Sequence, residues 1–374
     1  MEFKRIVHPV GASAFITETF SDKDKRVFDV VYDCGHTKSK YCTKHLKGLI
    51  DEHFKYDVVI DILFISHFDA DHVNGLSYLI EKNHCVQGKT KVYLPLIDDN
   101  RIDLYDYLNG TFCRYVLTLL HQKQIQVMFV EPWRKDQNVT LPMKENSVPS
   151  GEPIPLSNNQ ILWKYIPFYI QDNSIIEDFI NENYSRFESY GWDKFIEWPK
   201  GVKDDLKKRY RKAKSHLYRN ADKRVNKINM NSMLLISKRA VALDRVKIIK
   251  YNKTYNQLSR KTAAINITDA ACLYTSDAGL AEDEFLDIVF DVLAKTDTKK
   301  LCLFQIPHHG SYRNYNKRFY DKDRIVFDSL FVNGNPKSSN PAIFIDVIND
   351  ANINKKILFI VDEDSLEQGV NLDS

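Results

Sequence analysis

The 374-residue chain has no Cys-x-x-Cys pair, and its six cysteines (Cys34, Cys42, Cys85, Cys113, Cys272, Cys302) are scattered. In a chain this long that excludes a disulfide framework and predicts reduced, mostly buried thiols. No run approaches the roughly 18 apolar residues of a membrane span. The most apolar stretch, residues 58–65, is broken by Asp61. The N-terminal MEFKRIVHPV lacks the apolar core of a secretion signal, which predicts a cytosolic protein. Neither sign of charge dominates: the net charge of +3 implies no acidic partner by itself. No internal repeat of solenoid period is present. What the chain does have is ordinary globular material. Hydrophobic residues make up 43% and charged residues 28%, which excludes collagen-like, coiled-coil and wholly disordered classes. At about 150 residues per domain, the length allows two or three domains.

Along the chain, residues 14–17, 27–32, 58–66 and 91–95 are β-branched and apolar between turn residues, so they predict strands. Residues 41–54 and 73–82 have helical spacing. From about residue 97 the character changes. Helical spacing over 102–123, a strand at 126–130 and a polar, proline-containing stretch at 134–160 precede an acidic, aromatic helix at 174–198. Residues 203–227 then hold 11 Lys/Arg against three Asp, a local +8 in a chain whose remainder is −5. Strands return at 232–237, 245–251, 270–274, 301–306, 330–332 and 356–361, with helices at 282–294 and 342–349. The predicted layout is an α/β chain in which 1–95 and 229–374 are two halves of one domain. The span 96–228 is a long, largely helical insertion between them.

The chemistry concentrates in residues 65–76, ISHFDADHVNGL. His67-x-Asp69-x-Asp71-His72 puts four metal-binding side chains within six residues, directly after an apolar strand. A strand ending in such a turn can build two adjacent metal positions from one loop. Imidazole suits Zn and Mn, while carboxylates favour harder ions. Asp71 alone reads equally well as the N-cap of the next helix; two histidines flanking two aspartates do not. Two further apolar strands end the same way, one before Thr275-Ser276-Asp277-Ala278-Gly279 and one before His308-His309-Gly310-Ser311. Singly these are ordinary turns; in this order they form a set.

The succession HxDxDH, SDAG, HHGS resembles the metallo-β-lactamase fold. It is most similar to the soluble hydrolase domain of the ComEC/Rec2 competence proteins, which typically reads SHxDxDHxxGL, an Asn-x-x-Ser strand, a GD turn and an HHGS loop. Residues 66–76, 229–235, 276–277 and 308–311 carry the match, with Tyr32-Asp33-Cys34-Gly35 resembling the family's DxG strand end and 330–335 its C-terminal finish. The resemblance covers residues 1–95 and about 229–362. It implies an αββα sandwich, with one sheet mainly from 1–95 and the other mainly from 229–362. It implies two divalent ions, Zn or Mn with Mg allowed, held by His67, Asp69, Asp71, His72, Asp277 and one of the HHG histidines. Other branches of the family favour His309; His308 would then orient or protonate. Asp277 would bridge both ions. The chain departs from the family in two ways. Asp69 stands where familiar members have histidine, and no second-half histidine is evident near Asn231. The first position therefore has His67 and Asp69 as its clear ligands, with Asn231 or water to complete it. The membrane domains of the competence proteins are absent.

Two such cations lower the pKa of bound water to roughly 7 and clamp the oxygens of an in-line displacement. Asp71 or Asp277 could receive the proton, and His308 or His309 could supply one to the leaving group. The motif fixes hydrolysis but not the substrate. The basic segment points to nucleic acid, because basic faces neutralise phosphates and interleaved tyrosines stack on bases. On a helix, 207, 211, 214 and 218 share one face, and 208, 212, 219 and 223 another. Lys207, Lys208, Arg211 and Lys212 are thus the candidate substrate contacts, together with Asn231. A solvated helix salt-bridged to 177–197 is the competing reading of that segment. The expected activity is a metal-dependent nuclease or phosphodiesterase, and the family branch also occurs in antiphage operons. The alternatives are a hydrolase of small esters or phosphocholine-type substrates, and a non-catalytic metal-binding regulator. The remaining histidines (His8, His36, His45, His53, His84, His121, His216) have no motif company and read as surface or core.

Overall fold

The computed structural model describes residues 1–36, 41–55, 58–97, 102–133, 145–154, 156, 161–171, 174–220, 232–240, 246–247, 266–267, 271–298, 300–311, 314–334, 341–361 and 365–371. β1 (Glu2–Val7), β2 (Phe15–Asp22) and β3 (Lys25–Cys34) form an antiparallel meander. β4 (Ile62–Phe64), β5 (Lys91–Pro95), β6 (Gln126–Val130) and β7 (Ser147–Val148) continue the sheet in parallel. α1 (Lys44–His53), α2 (Ala70–Val73), α3 (Leu76–Glu81), α4 (Ile102–Asn109) and α5 (Cys113–Gln122) fall between these strands.

The second sheet begins with β8 (Trp163–Tyr169), followed by α6 (Ser174–Glu182), α7 (Tyr184–Tyr190) and α8 (Lys200–Asn220). β9 (Met233–Arg239) pairs antiparallel with β8, and the short β10 (Val246–Lys247) and β11 (Asn266–Ile267) pair with each other. β12 (Cys272–Tyr274), β13 (Lys300–Gln305), β14 (Val326–Asn333) and β15 (Ile357–Val361) run parallel, with α9 (Asp283–Lys295) and α10 (Pro341–Ile353) as crossovers. Finally β16 (Leu366–Asn371) returns to the first sheet and pairs antiparallel with β1. The sheet orders are β16-β1-β2-β3-β4-β5-β6-β7 and β15-β14-β13-β12-β9-β8.

The residue pattern explains the layers. In β3, Phe28, Val30 and Tyr32 join the core between the sheets, while Val31 and Cys34 join the core under α1, α3 and α5. Buried on both faces, such a strand reads as a continuous apolar run. Sheet two repeats the device, with Phe331 facing the first sheet and Leu330 and Val332 packing against α9 and α10 through Val289, Leu293 and Val347. The result is the αββα sandwich expected from the resemblance.

Membership of the sheets is less tidy than expected. The span 96–228 does not stand apart from the sandwich: β6 and β7 widen sheet one and β8 forms an edge of sheet two. Sheet one also takes β16 from the far end of the chain. The reason is edge closure, since β1 would otherwise present an unpaired row of backbone groups. What does stand outside is a small cluster in which α4, α6, α7 and α8 pack Leu104, Leu108, Phe179, Phe187, Leu206 and Tyr210 together with Trp198 from the segment before α8. Helical spacing predicts one helix over 102–123, but the chain breaks it at Gly110 into α4 and α5. There Asp106 accepts from the Cys113 and Arg114 amides and so caps α5.

One feature of the central core was not anticipated. Arg5 and Glu18, both fully buried, pair at 2.7 Å between the sheets. Tyr165 and Ser237 also donate to Glu18, at 2.6 and 2.8 Å. A buried charge survives only when paired and hydrogen-bonded in this way.

Candidate metal centre

The strand ends carrying the three motifs meet at one edge of the sandwich, beyond the carboxyl ends of β3, β4, β12 and β13. The hub is Asp33, the penultimate residue of β3, with a left-handed φ of 55° and no solvent exposure. Its carboxylate accepts from the Ser66 amide and hydroxyl at 2.7 Å each, from the Ser276 hydroxyl at 3.0 Å and from His72 Nδ1 at 2.9 Å. Because the Ser66 hydroxyl donates to Asp33, it accepts from His67 Nδ1 at 2.9 Å. His309 Nδ1 donates to the Asn333 carbonyl, at 3.0 Å. The network thus engages Nδ1 of three histidines, and each turns its Nε2 to the same space.

That space is centred on Asp277. His72 Nε2 lies 3.6 Å and His309 Nε2 3.3 Å from Oδ1. His67 Nε2 lies 4.0 Å and His308 Nε2 3.9 Å from Oδ2. Among the described residues, His67–His72–Asp277 and Asp71–His72–His309 each gather one ligand atom per residue within 4.8 Å. The chemistry of this donor set fits a divalent ion. His67 Nε2 and His72 Nε2 are buried with no hydrogen-bond partner, a costly state that a bound cation would relieve.

The backbone is bent to make this possible. Ser276, His308 and His309 have φ of 46°, 48° and 55°, so with Asp33 four non-glycine residues at one edge are left-handed. Such conformations persist only where surroundings over-determine them. Gln305 does part of this, its Oε1 accepting from the Thr275 and Ser276 amides at 2.8 and 2.9 Å. Two glycines permit the close approach of the motif loop. A Cβ on Gly35 would lie 1.7 Å from the Asp71 carbonyl oxygen, and one on Gly75 2.4 Å from Cys34 Sγ.

Electrostatics follow the same plan. Burial opposes charge on His72, but Asp277 and the hydrogen bond to Asp33 outweigh it and push the imidazole up to about 10. Asp277 is held well below the usual carboxylate range: burial works against this, and His308, His309, His72 and His67 together overcome it. Burial dominates at His309, pushing it down to about 4, and at His67, which is lowered with further help from His72.

The expected residues divide as follows. His67, Asp71, His72, Asp277, His308 and His309 are brought together. Asp69 is the N-cap residue of α2, yet its side chain makes no capping bond. It lies 3.9 Å from His67 Nε2 and is 39% exposed. Asp71 lies inside α2, so the N-cap reading of Asp71 falls. His309 has Nδ1 on Asn333 and Nε2 toward Asp277, which leaves it no nitrogen for a leaving-group proton. Asn231 and residues 221–227 lie outside the described residues.

Lys207, Lys208, Arg211 and Lys212 all lie on α8, whose Leu206 and Tyr210 face the small helical core. Lys207 is half-buried, its ammonium 4.6 Å from the Tyr107 ring centroid. Lys208, Arg211 and Lys212 are exposed. The competing reading of a helix salt-bridged to 177–197 finds a pair of the opposite polarity, Arg186 to Asp205 at 2.6 Å. α8 is tied to α4 by Tyr107 donating to Asp204 at 2.7 Å, and the α4–α5 turn is tied to the motif loop by the Phe112 amide donating to the Phe68 carbonyl at 2.8 Å. Sequence reasoning assigned no role to Asp33, Ser66, Ser276, Gln305 or Asn333. The usable signal was position, since Ser66 and Ser276 adjoin ligands and Asp33, Gln305 and Asn333 lie at the carboxyl ends of strands.

No family model and no curated protein sequence matches the chain. Among solved structures, it is similar to the metallo-beta-lactamase fold protein YhfI from Bacillus subtilis, at 8% identity and a TM-score of 0.41 over 98% of this chain and 100% of that one. Unliganded yeast PDE1 aligns over 100% of both chains at 10% identity and a TM-score of 0.42. Human tRNase Z, short form (ELAC1), aligns over 46% of this chain and 60% of that one at 16% identity and a TM-score of 0.27.

Proposed function

We propose that the chain is a metal-dependent hydrolase of phosphodiesters, with nucleic acid as its substrate. The observation that carries this reading is the convergence of four imidazole Nε2 atoms within 4.0 Å of one buried carboxylate, Asp277. His67, Asp69, Asp71, His72, Asp277 and His309 would hold two divalent ions. When bound, the pair would supply Lewis-acid polarisation of the phosphoryl oxygens and an activated water at neutral pH. The chain's own residues do the rest. Asp33 keeps the proton on His72 Nδ1 and Asn333 keeps one on His309 Nδ1, so both rings face inward. Asp71, 5% exposed and grouped with His72 and His309, is the carboxylate placed to take a proton from water. Phe68, buried in the core on the helix side of the first sheet and bonded through its carbonyl to the Phe112 amide, anchors the loop.

The outward face of α8 supports nucleic acid over a small diester. Both acids of α8 are engaged, Asp204 by Tyr107 and Asp205 by Arg186 and Arg209. Lys208 and Arg211 make no ion pair among the described residues. The test uses labelled DNA, labelled RNA and a chromogenic phosphodiester with Mn, Mg or Zn and an EDTA control. Hydrolysis of none, with metal still bound, would replace this reading by the non-catalytic one. Reversing Lys208, Arg211 and Lys212 to Glu should raise KM for a long oligonucleotide and spare the small diester. It should also flatten the salt dependence by about 0.7–0.9 in log–log slope per lost phosphate contact.

A further inference from the structure

We propose that His308 is a metal ligand that completes the first position, so that each histidine of the tandem pair serves a different ion. This rests on the metal-dependent reading of the site and deepens it. The first position has His67 and Asp69 from the motif loop and lacks a further imidazole from sequence. The geometry supplies one. Asp277 divides the four imidazoles evenly: Oδ1 faces His72 and His309, at 3.6 and 3.3 Å, and Oδ2 faces His67 and His308, at 4.0 and 3.9 Å. Two ligands held at roughly 2.0–2.2 Å from one ion stand about 3.0–3.4 Å apart when adjacent and about 4.2 Å apart when opposite. All four separations are of that order.

The tandem is built for divergence. His308 and His309 are consecutive left-handed residues, with φ of 48° and 55°, and their rings stand at 89° to one another. The turn is pinned on both sides: the His308 amide donates to the Ser276 carbonyl at 2.8 Å, and the Ser311 amide to the His308 carbonyl at 2.8 Å. A single ligand would need only one of these residues strained.

His72 cannot serve both ions, because Asp33 occupies its Nδ1 and only Nε2 is left. In this division one ion would be held by Asp71, His72, His309 and Asp277 Oδ1 and the other by His67, Asp69, His308 and Asp277 Oδ2, with His67 and His72 close enough to group with Asp277 within 4.8 Å. The two are unequal. Among the described residues the groups that close within 4.8 Å include His67, His72 and His309 but not His308. His308, 23% exposed, must swing inward to bind. The first position is thus the looser one and fills second.

The competing role for His308 is proton donor to the leaving group, and metal counting separates the two. Glycine adopts left-handed φ freely, so His308→Gly removes the imidazole with little backbone strain. His308→Asp restores a donor in a residue that tolerates the same conformation. Each protein is stripped with EDTA, checked for an unchanged thermal transition, and titrated with Mn²⁺ and with Zn²⁺ by calorimetry, with bound metal counted after dialysis. The expected result is two ions for the unaltered chain. His308→Gly should retain the tighter ion and lose at least about tenfold in affinity for the weaker one, and His308→Asp should recover part of that loss for Mn²⁺. If His308→Gly binds two ions with unaltered affinities and loses only turnover, His308 is an acid and the ligand assignment is wrong. If the unaltered chain binds neither Mn²⁺ nor Zn²⁺, the metal-dependent reading falls, and this proposal with it.

Discussion

Two groups of histidines occupy this molecule, and they behave in opposite ways. At the metal edge, four rings surround Asp277. Beside α1 a second group gathers. His8 and His53 meet edge to face at 5.1 Å, and His36 and His45 stand 4.9 Å apart. His84 lies against Phe54 at 5.1 Å. The second group contains five imidazoles against four, yet no member belongs to a metal-holding group among the described residues. Its rings lie on aromatic rings and carbonyls: His8 stacks on Phe15, His45 Nε2 donates to the Pro9 carbonyl and His84 Nδ1 to that of Val58. Among the described residues none of these rings makes an ion pair with a carboxylate, and the nearby buried Asp29 is taken by Arg26 at 3.2 Å. Burial pushes His8 down to about 3, with Lys4 adding to it, and His53 down to about 2, with His8 and Arg26 adding. Burial without a carboxylate partner keeps His8 and His53 uncharged. A shared carboxylate, with partners engaging Nδ1 of three of the four rings, distinguishes the proposed cation site.

Removing the carboxylate is the harshest test of this contrast. Asp277→Asn should abolish metal-dependent hydrolysis and binding of both ions, measured by turnover and by metal counting. If two ions remain with ordinary affinity, Asp277 is not the shared ligand. Loosening the orientation is milder. Asp33→Asn can no longer accept from both Ser66 and His72 as a carboxylate does, and metal affinity should fall by about 10–100-fold while the fold persists.

Acid and base separate the groups next. Unfolded histidine titrates near 6.5. His8 and His53 stay neutral in the fold below that pH while the unfolded chain takes up protons. Stability should therefore fall as pH drops from about 6.5 toward 3, by up to about 1.4 kcal/mol per pH unit for each. His72 has the opposite sign. In EDTA-stripped protein its raised value stabilises the fold below about 6.5, and that contribution is lost as pH rises toward 10. Denaturant midpoints across pH should peak near neutrality. His53→Phe should flatten the acid limb and His72→Asn the alkaline one; an acid limb that His53→Phe leaves unchanged would remove His53 from the account. The smallest effect belongs to a histidine of neither group. His121 is exposed on α5, and His121→Ala should alter stability by no more than about 0.5 kcal/mol and leave metal affinity alone.

The legibility of the fold varied with the kind of strand. β5 and β6 were readable to the residue, and β13 within one residue at each end, because short apolar runs between turn residues leave little choice. β8 falls between the polar stretch at 134–160 and the helix at 174–198, where the sequence pattern predicts no element, and it carries Pro167, which reads as a breaker. It is an edge strand, where a missing amide hydrogen is tolerated. β1 was hidden by Lys4 and Arg5, and Arg5 is buried only because Glu18 meets it across the core. β16, LEQGVN, has no strand signal of its own; it forms because β1 offers an unpaired edge.

The chemistry of the site was written locally. His67, Asp69, Asp71 and His72 share one loop, and Asp277, His308 and His309 each follow an apolar strand, so their presence at a common edge follows from the pattern of strands and turns. What depended on the tertiary structure was which atom of each residue faces the site. Nδ1 of His72, His67 and His309 is claimed by Asp33, by Ser66 and by Asn333, residues up to 39 positions away in sequence. The division of four rings between the two oxygens of Asp277 depends on three left-handed residues held by neighbouring strands. A sequence specifies donors because donor chemistry resides in single side chains. It does not display their orientation, because a ring is turned by whatever hydrogen-bonds its far side, and that partner arrives only when separate strands are brought together.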